Sequence, residues 1–99
     1  MAKVNVSIFY KNYTEEELEM IKKIITETLK DVDDSNLLEK AGLLASVKYN
    51  KYPEIQYYRV NLLLRAGKIN KAYNVATNYS KFIPLKEIAL ELEKKIKEL

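Results

Sequence analysis

Residues 53–84 constrain the fold more than any other stretch of the chain. Pro53 suits the first position of a helix, where no amide hydrogen is needed. Ile55, Tyr58, Leu62 and Ala66 follow at helical spacing, and Leu63 widens that apolar stripe. Gly67 can take the left-handed conformation that ends a helix, and Asn70 can cap the next one. The second helix carries Ile69, Ala72, Tyr73, Ala76 and Phe82 toward one side, and Pro84 closes it and can start another. The stretch predicts two helices joined by a tight glycine turn.

The remaining segments extend the helical reading. Thr14-Glu15-Glu16-Glu17 has the form of a capping box, with Tyr13 and Leu18 placed for a hydrophobic staple and an acidic first turn that suits the helix dipole. From there Leu18, Ile21, Ile25, Thr28, Leu29 and Val32 line one face, predicting a helix to about Asp31. Asp31 to Asn36 alternates carboxylates, but a calcium loop would need Gly at Asn36 and Glu at Gly42. The segment is therefore read as a loop, with Asn36 and Glu39 forming a second capping box. A third helix is expected from Leu37 to about Asn50, its small residues Ala41, Gly42, Ala45 and Ser46 allowing another helix to approach closely. Leu85, Ile88, Ala89, Leu92, Ile96 and Leu99 define a last amphipathic helix, with Glu91–Lys95 and Glu93–Lys97 one turn apart.

Residues 3–10 instead alternate, with Val4, Val6, Ile8 and Tyr10 on one side, as in a strand. No second strand follows, so the segment must pair with a symmetry mate, pair with another protein, or convert into a short helix. The expectation is self-association as a homodimer through Val4, Val6, Ile8 and Tyr10. The whole chain reads as one all-α domain of five helices. Hairpins over 14–50 and 53–83 have antiparallel neighbours, a capping helix covers 84–99, and an extended segment, 1–12, precedes them.

The second hairpin resembles a tetratricopeptide repeat in Leu63, Leu64, Gly67, Ile69, Ala72 and the closing Pro84, and in the length between its two prolines. Val60 and Tyr79 stand where that family usually has small residues, and the resemblance covers about a third of the chain. It implies a protein-interaction module, a small adaptor or assembly subunit. In that family the inner face of each first helix lines a groove for a partner peptide or helix. Tyr57, Asn61 and Arg65 fall on the corresponding face here: Arg65 to pair with a carboxylate, Asn61 to hydrogen-bond a backbone, Tyr57 to supply contact area.

Charge suggests a second function. Residues 1–47 hold six Lys against nine Asp and Glu, residues 48–81 hold seven Lys and Arg against Glu54 alone, and residues 82–99 balance. The basic stretch also holds six of the eight Tyr. Lys48, Lys51, Arg59, Arg65, Lys68, Lys71 and Lys81 could contact nucleic-acid phosphates, with Tyr49, Tyr52 and Tyr58 stacking on bases. Catalysis is not expected, because the chain lacks His and Cys and has no phosphate-cradling glycine loop. No cofactor or metal is expected either. No apolar run approaches the roughly 20 residues of a membrane span, the N-terminus lacks a signal peptide's apolar core, and cytoplasmic residence is the expectation. Abundant Lys, Ile, Glu and Tyr suggest an AT-rich, heat-adapted source, against which the many Asn residues weigh.

Overall fold

The computed structural model describes residues 13–98, and the alternating segment with Val4, Val6, Ile8 and Tyr10 lies outside them. Five α-helices follow in order: α1 (Glu15–Leu29), α2 (Leu37–Leu44), α3 (Pro53–Arg65), α4 (Ile69–Asn78) and α5 (Ile83–Glu98), with a 3₁₀ turn at Val47–Tyr49. The all-α class read from the sequence is the class observed.

α3 is the central element. It packs against all four other helices, and Ile55, Val60, Leu62 and Leu63 are buried on different sides of it. Val60, outside the expected stripe, is fully buried, whereas Tyr58 and Ala66, within it, are only partly so. A surface helix needs one apolar face, but an enclosed helix buries several, which is why a single-stripe reading of α3 falls short. α1 contributes Ile21, Ile25 and Thr28, and α5 contributes Leu85, Ala89 and Leu92. Both triplets repeat at four and three residues, the spacing that keeps side chains on one face.

Local chemistry sets most helix ends. The Glu17 amide donates to Thr14 Oγ1 at 3.1 Å and the Thr14 amide donates to Glu17 Oε1 at 3.3 Å, completing the expected capping box. Pro53 occupies the first turn of α3. Gly67 has φ +78°, the Lys68 amide donates to Leu63 O at 2.9 Å and the Gly67 amide to Leu64 O at 3.0 Å. This pair of bonds is a Schellman motif, which satisfies the last carbonyls of α3 and turns the chain sharply into α4. One of the two expected charge pairs on α5 is seen, Lys97 Nζ to Glu93 Oε1 at 3.0 Å.

Four local expectations are corrected. The third helix stops at Leu44: the Ala45 amide bonds back to Gly42 O and Ser46 turns extended at ψ 140°, before the 3₁₀ turn. Asn36 does not cap α2. Its Oδ1 accepts from the Asp33 amide at 2.9 Å and its Nδ2 donates to Asp31 O at 2.8 Å, so the loop consumes the side chain the cap would need. Asn70 lies inside α4, which starts from Lys68 without a side-chain cap. Gly42 is exposed, and a β-carbon there would meet nothing within 4 Å, so close helix contact is not its reason.

Candidate functional site

Two concavities flank α3. The first lies between α3 and the end of α1, has a volume of about 430 Å³, and is lined by Leu29, Lys30, Val32, Tyr58, Asn61, Leu62 and Arg65. Of the predicted face, Asn61 and Arg65 are therefore brought together, but Tyr57 is not among the lining residues and Tyr58 takes its place. Tyr57 packs edge-on against the Tyr58 ring, centroids 5.3 Å apart. Asn61 Nδ2 donates to Tyr57 O at 3.1 Å, so that nitrogen serves its own helix. Arg65 makes an exposed ion pair with Asp34, 3.6 Å away, in the loop after α1. Such a pair is screened and weak, so the guanidinium can exchange partners at little cost. The sequence reading placed Tyr58 and Leu62 on one stripe but grouped Arg65 with Tyr57 and Asn61; the missed signal is that Arg65, three residues after Leu62, lies on the Tyr58–Leu62 side as well.

The loop that supplies Asp34 is braced from within. The Ser35 amide donates to Asp33 Oδ1 at 2.8 Å and the Ser35 hydroxyl donates to the same oxygen. These bonds hold the Asp33 carboxyl below its ordinary pKa, the hydroxyl contributing most.

The second concavity lies among α2, α3 and α4. Its volume is about 300 Å³ and its lining is Leu38, Ala41, Gly42, Ala45, Arg59, Leu63, Lys68 and Lys71. Arg59 is half-buried, and its Nη1 donates to Gln56 Oε1 at 3.1 Å. Burial lowers the pKa of its guanidinium, with the neighbouring Tyr79 acting in the opposite direction. Gln56 is itself fully buried, and its Nε2 donates to Leu44 O at 3.1 Å and to Tyr49 O at 3.2 Å. The amide thus ties the end of α2 and the 3₁₀ turn to α3 and aims its oxygen at Arg59.

The seven basic residues, whose grouping sequence proximity leaves open, are divided between the two concavities and the turns. Arg59 and Arg65 are six residues apart on α3, so at 3.6 residues per turn they point roughly 120° apart around the axis. Lys68 and Lys71 join Arg59, while Arg65 faces the other concavity. Lys48 Nζ lies 5.3 Å from the Tyr49 ring centroid and Lys51 Nζ 5.2 Å from that of Tyr52, so each cation sits over its neighbour's ring. Lys81 lies in the turn between α4 and α5. Tyr52 is buried and Tyr49 and Tyr58 are half-buried, so none is displayed as an open stacking platform.

A third polar cluster is architectural. Glu54 is fully buried and accepts from Tyr13 Oη at 2.9 Å, Tyr52 Oη donates to Glu17 Oε2 at 3.3 Å, and the Tyr13 and Tyr52 rings meet edge-on. These contacts join the capping box of α1 to the start of α3. Among the described residues no group of three or more His, Cys, Asp or Glu is placed to hold a metal ion, and no helix is long and apolar enough to cross a membrane. Comparison with family models, with curated proteins and with solved structures finds no match.

Proposed function

We propose that the protein is a non-catalytic interaction module, a small adaptor or assembly subunit, that receives a partner peptide or helix in the groove between α1 and α3. The observation that carries this reading is the groove's make-up. Leu29, Val32, Tyr58 and Leu62 supply apolar contact, and Lys30 and Arg65, the latter in a weak exposed pair with Asp34, stand beside them. That combination suits an apolar anchor flanked by a carboxylate. The tetratricopeptide-like pattern of residues 53–84 supports the same reading, since the groove borders the first helix of that hairpin. Cytoplasmic residence goes with it, supported by a chain without Cys.

Arg65→Ala should weaken partner binding about tenfold while leaving thermal stability nearly unchanged, because its ion pair is exposed. Affinity capture of partners from source-cell extract by the unmodified protein, followed by titration of the recovered partner against the variant, checks this. Unchanged affinity, or a large loss of folding, would count against the groove.

The protein is further proposed to form a homodimer through Val4, Val6, Ile8 and Tyr10. Exposed Leu38, Leu43 and Val47 support a second copy or partner covering apolar surface. Sedimentation of the full chain should show a dimer, and deletion of residues 1–11 should leave a monomer. A monomer in both at high concentration would refute it.

Nucleic-acid binding is the second reading, favoured by the convergence of Arg59, Lys68 and Lys71 in one concavity. It is weakened by the dispersal of Lys48, Lys51, Arg65 and Lys81. Tight oligonucleotide binding at about 0.15 M salt, lost on neutralising Lys68 and Lys71, would promote it over the first.

A further inference from the structure

We infer that the concavity among α2, α3 and α4 is a binding pocket for a phosphate-type oxyanion. Arg59, Lys68 and Lys71 line it, and no Asp or Glu does. Among the described residues none of the three forms an ion pair. For Lys68 and Lys71, both exposed, that is ordinary. For Arg59 it is not: a half-buried guanidinium has lost part of its hydration, and among the described residues its hydrogen bond in return is to the neutral Gln56 oxygen. A guanidinium carries five N–H donors and stays charged at neutral pH, so Arg59 retains donor capacity and a full charge facing a cavity.

The surroundings favour a ligand over an unused gap. Gln56 is anchored by two backbone carbonyls, and it fixes one edge of the guanidinium before any ligand arrives, so little is lost in ordering it. The α2 side is lined by Leu38 and by the small residues Ala41, Gly42 and Ala45, and a β-carbon at Gly42 would touch nothing within 4 Å. The three small residues leave room for a ligand beside Leu38. Lys68 and Lys71 are one turn apart at the start of α4 and both line the cavity, which leaves their ammonium groups able to close on a tetrahedral anion there. The volume, about 300 Å³, sits at the lower end of small-molecule sites, enough for a phosphate or pyrophosphate carrying a modest substituent. The pocket shares no lining residue with the α1–α3 groove and does not depend on it.

The test is an NMR titration of the isotope-labelled full chain with inorganic phosphate and pyrophosphate at about 0.15 M chloride. Saturable, one-site shifts at Ala41, Gly42, Ala45, Leu63, Lys68 and Lys71 are expected, with pyrophosphate binding more tightly. Lys68→Ala combined with Lys71→Ala should weaken binding about tenfold or more without affecting folding, since both side chains are exposed. Arg59→Lys keeps the charge but loses the fork and should weaken it comparably. Lys48→Ala with Lys51→Ala should leave it within about twofold. A single-stranded oligonucleotide that competes with pyrophosphate identifies a nucleic-acid phosphate as the source of the anion. Failure to compete identifies a small phosphorylated ligand, and either result upholds the pocket. Non-saturating shifts spread over all lysines, or equal losses in the Lys48/Lys51 control, would overturn it.

Discussion

Replacing Ile55 with Ala should lower the stability of the protein by about 2–5 kcal/mol, the range for emptying a fully enclosed aliphatic site. Ile55 is 0% exposed and sits in the first turn of the helix that touches all four others. The loss has two parts, the transfer of the missing carbons and the void left where neighbouring helices cannot collapse onto the smaller residue. A chain of this size has roughly 5–15 kcal/mol of stability in all, so the variant should unfold at much lower urea concentration with an unchanged slope. Val47→Ala provides the contrast. Val47 is 82% exposed, and its loss should move stability by no more than about 0.5 kcal/mol. A cost below about 1 kcal/mol for Ile55→Ala would mean that α3 is not the packing centre of the molecule.

Gln56→Leu is expected to cost about 2–3 kcal/mol although it fills the same space with an apolar group. The amide is fully buried, and the penalty falls on what it leaves behind. Tyr49 O keeps the Tyr52 amide as a donor, at 3.1 Å, so the larger loss is at Leu44 O, the last carbonyl of α2, and at Arg59, which loses its neutral acceptor. If Gln56 were merely filling the core, leucine would be neutral or stabilising. Urea unfolding distinguishes the two, and a change within about 0.5 kcal/mol of zero would remove the role assigned to the amide. The same variant should weaken pyrophosphate binding, because Arg59 would no longer be held in position.

The helices themselves were legible in the sequence because their determinants are local. Thr14 and Glu17 are three residues apart, Pro53 needs no partner, and Gly67 acts through its own φ. Each of these works within one turn, a distance over which neighbours in sequence are neighbours in space. The failures are also local in form but not in cause. Asn36 and Asn70 have the right side chain for capping, yet Asn36 is taken by the loop it closes, and α4 starts from Lys68, two residues before Asn70, straight after the Gly67 turn.

What only the tertiary structure decided is which surface residues act together. In sequence, Arg59 and Arg65 belong to one basic run and Tyr57, Asn61 and Arg65 to one face. In space, the rotation of α3 sends Arg59 to α2 and α4 and Arg65 to the end of α1. Lys68 and Lys71 reach Arg59 only because the Schellman turn folds α4 back beside α3. Composition and periodicity report how many charges and apolar groups a helix carries. The direction in which each points is a property of how neighbouring helices pack, and that is why the fold class could be read from the chain while its two concavities could not.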